Sequence, residues 1–161
     1  MKRFFLIIAA AAVSYGTWWL CLRSPEQQLA AAQMDFLDAL EGHDWQDVEA
    51  MLAPGFVAVS GHNRSNIMPD LQRALGGFAT LSIETKPVSL QAARDMGIVS
   101  QNIRLVGLGN TLAIAVRERA NRITTPWLFH WQKTGSWPWN WQLTQVHNDS
   151  MTSLPSELPL R

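Results

Sequence analysis

The order of hydrophobic and polar positions divides the chain into three stretches. Residues 4–22 carry no charge over 19 positions, and at about 1.5 Å per residue a helix of that length roughly matches a bilayer core. From Ser24 to Gly77 apolar residues recur mainly at helical spacing, and from Leu81 to His147 they alternate with polar ones as in half-buried strands.

Ser24-Pro25-Glu26-Gln27 places a capping serine, a proline at the first helical position and a capping-box glutamine, so a helix starts there. Leu29, Phe36, Leu37 and Leu40 form its apolar stripe, Asp35, Asp38 and Glu41 face water, and Gly42 is expected to end it. Asp44 then caps a short second helix that turns Val48, Met51 and Leu52 inward and stops at Pro54-Gly55. Residues 56–60 alternate as a short strand. A third helix, from Ser65 or Pro69 to Leu75, closes at Gly76-Gly77.

Residues 81–91, 97–108, 111–122, 126–133 and 137–147 read as strands, with turn signals at 94–97, 107–110 and 134–136. Pro87 interrupts the first of these, where inward parity slips from Leu81 and Ile83 to Val88 and Leu90, as a bulge requires. The tail from Ser150, with Pro155 and Pro159, shows no period and is expected to fray. Helices first and consecutive antiparallel strands afterwards predict an α+β fold: helices packed on one face of a strongly curved antiparallel sheet, preceded by one transmembrane helix.

The expected organisation is a signal-anchor helix at 1–23, one domain at 24–149 and a flexible tail at 150–161; the body left by the anchor is long enough for one core. Lys2, Arg3 and the amino terminus outweigh Arg23, so the positive-inside rule puts the N-terminus in the cytoplasm. The protein is then single-pass in the cytoplasmic (inner) membrane, its body on the outer, periplasmic side and Trp18-Trp19 near the outer interface. A cleaved signal peptide ending near Ser14-Tyr15-Gly16 is the rival, but it would be short and would leave Trp18-Trp19 at a new terminus. Bulky Trp18-Trp19-Leu20 argues against lipidation of Cys21.

Composition narrows the function classes. The chain is 47% hydrophobic and 16% charged, which suits a globular body with an apolar segment. Beyond residue 23 ten basic residues meet 13 acidic ones, so nothing electrostatic points to nucleic acid. The single cysteine, Cys21, lies in the apolar segment, which leaves the body without a disulfide or a thiolate zinc site. Eight tryptophans stand against one tyrosine, and Trp45, Trp127, Trp131, Trp137, Trp139 and Trp141 belong to the body.

The order of elements, with Phe36-Leu37-Asp38-Ala39-Leu40 on the first helix, Asp44-Trp45 opening the second and Leu52-Ala53-Pro54-Gly55-Phe56-Val57 leading into a strand, resembles the nuclear-transport-factor-two-like superfamily. The final Trp139, Trp141 and Leu143, followed by Val146-His147, is similar to that superfamily's last strand. The resemblance spans about residues 25–149 and implies a cone whose bent sheet wraps a long helix and leaves a pocket at its open end. Ketosteroid isomerases, scytalone dehydratases, polyketide cyclases and secretion-system assembly subunits share this fold, so fold alone leaves function open.

On the last strand Trp139, Trp141, Leu143, Gln145, His147 and Asp149 share one parity, which would take an apolar inner face to a polar pocket mouth. His147 is the candidate general acid or base there, oriented by Asp149 or Gln145. A strand that simply leaves the core has the same pattern. The expected pocket lining is Phe36, Leu40, Phe56, His62, Trp127, Phe129, Trp131, Trp141 and Gln145. His43, His62, His130 and His147 show no metal-ligand spacing, and neither metal nor cofactor is expected. Arg104, Arg117, Arg119 and Arg122 read as a solvated face.

The enzyme reading lacks the tyrosine that isomerases and dehydratases of this fold place at the reacting oxygen, because Tyr15 lies in the apolar segment. Two functional readings therefore stand. One is a membrane-anchored binding or assembly module holding a partner protein, a second copy of the chain or a small apolar ligand, similar in layout to the bitopic subunits of type IV secretion systems. The other is a small lyase or isomerase using His147 and Asp149.

Overall fold

The computed structural model describes residues 23–152 apart from positions 136 and 138. The apolar run at 4–22 and most of the tail lie outside the described residues; among these, no helix is long and apolar enough to cross a membrane.

Helix α1 (Pro25–Gly42) opens on the expected capping box, with Ser24 Oγ accepting from the Gln27 N–H and Gln27 Oε1 accepting from the Ser24 N–H, both at 3.3 Å. It ends at Gly42 as expected, but the left-handed position falls on the next residue. Gly42 is still helical, and His43 takes the left-handed turn at φ 58°, a conformation in which histidine is enriched among non-glycine residues. The ring is held from two sides, Nε2 3.1 Å from the Leu75 carbonyl oxygen and the imidazole 5.4 Å from the Trp45 ring.

Helix α2 (Trp45–Met51) follows Asp44, whose side chain makes no capping hydrogen bond, and runs directly into β1 (Leu52–Val57). The strand thus starts earlier than its alternation suggested and stops before a 3-10 turn at Val59–Gly61. Leu52 and Ala53 are already buried at its start. Helix α3 (Arg64–Leu75) contains Pro69 and starts at Asn63, whose side chain accepts from the Ser65 and Asn66 N–H groups in a second capping box.

The remaining strands are β2 (Phe78–Ala92), β3 (Met96–Gly109), β4 (Trp127–Lys133) and β5 (Trp141–His147). They form one sheet in the order β1-β5-β4-β3-β2, antiparallel throughout except where β1 joins β5 in parallel. The sheet is therefore mixed, which corrects the all-antiparallel expectation. The bulge at Pro87 is present: pairing jumps from Pro87–Gln101 to Ser89–Ser100.

The largest departure is residues 111–122, which form helix α4 (Thr111–Asn121) and not a strand. Alternation of Leu112, Ile114 and Val116 suggested a sheet, yet Leu112 and Ile114 are exposed while Ala113, Val116 and Ala120, at helical spacing, turn inward. Asn110 caps the helix by accepting from the Ala113 N–H at 3.0 Å. The helix also does a strand's work. β4 pairs with β3 only over Met96–Gln101, and beyond that limit the Asn121 carboxamide accepts from the Leu105 N–H at 2.7 Å and donates to the Leu105 carbonyl at 2.9 Å. Arg117 donates to the Gly107 carbonyl at 2.8 Å. Backbone groups left by the short β4 thus find side-chain partners.

Helix α1 crosses the inner face of the sheet. Leu29 presses onto Gly97, where any Cβ would collide with its methyl groups, and Phe36 meets Phe129 and Trp131 edge-on at 6.4 and 6.0 Å between ring centres.

Candidate functional site

The end of β5 is where alternation placed the chemistry, and a bulge redirects it. Trp131 pairs with Leu143 but His130 pairs with Gln145, so Thr144 is an extra residue, its hydroxyl donating to the His130 carbonyl at 3.0 Å. Side chains directly opposite one another share a face. Trp141 and Leu143 therefore point inward with Trp131, Val146 points inward with Phe129, and Gln145 and His147 pass to the outer face with His130 and Leu128. His147 Nε2 does lie 2.9 Å from Asp149 Oδ1, at an exposed position where the Asp149 side chain keeps 76% of its surface. Partial burial, and then the nearby His147, hold the His130 imidazole below its ordinary range.

The inner face is filled rather than hollow. Phe36, Leu40, Phe56, Phe129 and Trp131, expected to line a pocket, are buried in the core, and Trp127 packs partly buried against it. Trp131 Nε1 donates to Gln33 Oε1 at 2.9 Å, which ties the centre of α1 to β4. His62 lies elsewhere, with Nδ1 3.1 Å from the Val59 carbonyl oxygen and Nε2 3.2 Å from Asp70.

Open space lies instead at the start of α1. A cleft of about 130 Å³ runs along one face of that helix, past Gln28, Ala31, Ala32 and Asp35, and is closed by Met51, Trp139 and Trp141, with Arg23 at one end. A second cavity of about 230 Å³ shares Met51, Trp139 and Trp141 and extends to Asp47 and Asn140. Trp141 is 3% exposed and its Nε1–H is buried without a hydrogen-bond partner among the described residues. Trp139, expected inside the sheet, precedes β5 and is 57% exposed.

No protein-family model and no curated protein matches the sequence. Solved structures do match. An NTF2-like protein of unknown function in nutrient uptake from Rhodospirillum rubrum superposes with a TM-score of 0.55 at 17% identity, over 74% of this chain and 95% of that one. A protein of the NTF2-like family from Streptomyces avermitilis, proposed to be a dehydratase, gives 0.56 at 12% identity over 77% and 94%. The fold is NTF2-like. The chain also matches Bd1075 of Bdellovibrio bacteriovorus, with a TM-score of 0.58 at 14% identity over 76% of this chain, but spans only 39% of that protein.

Within this NTF2-like fold, of the expected lining residues only Trp141 borders the two cavities; Gln28, Ala31, Ala32, Asp35, Asp47 and Met51 lie outside the expected lining. The available signal was a pair of alanines on the side of α1 that faces β5, where larger side chains would have closed the gap. The second omission is Asn148. It is fully buried, donates to the Thr125 and Pro126 carbonyls at 3.1 and 3.2 Å, and accepts from the Ser150 backbone N–H at 3.1 Å. That network holds the first residues of the expected tail in a helical turn, α5 (Asp149–Thr152); the rest of the tail lies outside the described residues. Among the described residues no group of three His, Cys, Asp or Glu side chains could hold a metal.

Proposed function

We propose that this protein is a binding or assembly module, held by its N-terminal apolar segment on the outer side of the cytoplasmic membrane, that grips its partner at the cleft beside Trp141. One observation carries the reading: a nearly fully buried indole forms a wall of the cleft, and its N–H has no acceptor among the described residues. An unpaired buried donor costs about 1–3 kcal/mol, and a partner that displaces the lining enough to bring a carbonyl or other acceptor oxygen to this shielded N–H recovers it. Size sharpens the reading. The cleft of about 130 Å³ and the adjoining space of about 230 Å³ are each smaller than the roughly 300 Å³ at which pockets for whole small molecules begin. Each suits a projecting side chain or one end of an apolar ligand, with Arg23 and Asp35 of opposite charge in the cleft and Asp47 in the adjoining space.

A photoreactive residue at Asp47 tests this in intact cells. It should give an adduct that Ala31→Leu, which fills the cleft, abolishes, whereas the same probe at Glu118 on α4 should give none. Equal labelling from both positions would sink the proposal. A lyase or isomerase is favoured by one observation only, the 2.9 Å contact between His147 and Asp149, and His147→Ala separates the readings: unchanged binding supports the module.

A further inference from the structure

We infer that the stacked indoles of Trp137 and Trp139 rest in the headgroup layer of the membrane, so that the domain lies on the bilayer by this end; the inference rests on the anchored reading above. The two rings are parallel within 14° at 5.1 Å, and they are 58% and 57% exposed. Trp131 and Trp141, by contrast, are almost entirely buried. Two adjacent exposed indoles on one hairpin loop form an apolar surface with polar N–H edges, the amphipathic character that places tryptophan at membrane interfaces.

Their position selects the membrane as the occupant. Lys133, at the end of β4, donates to Gln28 Oε1 at 3.0 Å, and Gln28 Nε2 donates to the Arg23 carbonyl at 2.8 Å. Trp139 and Arg23 also border the same cleft. The β4–β5 loop and the start of α1 therefore occupy one end of the domain, and the uncharged run at 4–22 joins the domain at that end. A domain tethered there can hardly avoid meeting the bilayer with this loop. Arg23 and Lys133 are offset by Asp35 and Asp47, which line the adjoining cavities, so contact depends on the indoles rather than on attraction to anionic lipid.

The full chain is reconstituted in phosphatidylcholine vesicles whose acyl chains are brominated near the carbonyl end, and its tryptophan emission is compared with that of a W137F/W139F variant. Trp18 and Trp19 contribute equally to both and cancel in the difference. The expected result is a difference emission that is blue-shifted and lost to bromine quenching, while the W45F difference is not quenched. Single W137F and W139F variants give the same readout should the double variant fail to fold. A carbonate-resistant chain whose difference emission is unquenched overturns this inference alone. A chain released by carbonate overturns the anchored reading and this one together. Shielding that depends on protein concentration and not on lipid would assign the patch to a second copy and would also overturn it.

Discussion

Trp131 and Trp141 are the same residue on neighbouring strands, both directed to the inner face and both buried, yet they have opposite chemical situations. The Trp131 indole donates to Gln33 and is packed by Phe36; the Trp141 N–H has no partner among the described residues and its ring borders a cleft. The interior around Trp131 is committed to the fold, its indole N–H spent on joining α1 to the sheet, although Gln33 Nε2 has no partner among the described residues. The end around Trp141 keeps a donor in reserve. The open space lies at the margin of the fold rather than under the centre of the sheet.

The largest effect should come from the closed side. Trp131→Ala removes a core ring and should cost about 3–5 kcal/mol in denaturant unfolding. Gly97→Ala drives a methyl group into Leu29 and should cost about 1–3 kcal/mol by overpacking. The sharpest contrast is between Trp131→Phe and Trp141→Phe. Both lose the same ring volume, but only the first strands Gln33 Oε1, so it should be the more destabilising by about 1–3 kcal/mol, while only the second should impair binding. Equal losses would dissolve the comparison.

Much of the fold was legible because local chemistry and tertiary contacts agree. Ser24 and Gln27 form the capping box their spacing announces, and Pro87 bulges β2 because it cannot donate to the ladder. Residues 111–122 misled because they satisfy two periods at once, and the choice rests on contacts distant in sequence: Asn121 with Leu105 and Arg117 with Gly107. The site was less legible for a related reason. Parity along β5 is a sound rule until one residue is inserted, and Thr144 carries no glycine or proline to announce the bulge. The insertion moves His147 from the expected pocket to the outer face. Cleft residues such as Ala31 and Ala32 are visible only as missing volume.

Smaller effects probe the outer face. Because Asp149 is well exposed, the His147–Asp149 pair should contribute no more than about 1 kcal/mol, so His147→Ala should barely move the unfolding midpoint. His130 should show in a pH series. Its folded imidazole resists protonation more than the unfolded one does, so the unfolded chain takes up more protons and stability should decline as pH falls below about 6.5. His130→Gln should flatten that decline, and an unchanged slope would show that another group governs it.

On the proposed function Trp141 meets a partner while Trp131 serves the protein's own core, and indole N–H hydrogen exchange in the full chain reads both at once. In the purified protein Trp131 should be protected and Trp141 should exchange faster. On return to solubilised native membranes Trp141 should become protected while Trp131 is unchanged. A Trp141 N–H that is already as protected as Trp131 in the purified protein, or that ignores the native membranes, would contradict the account.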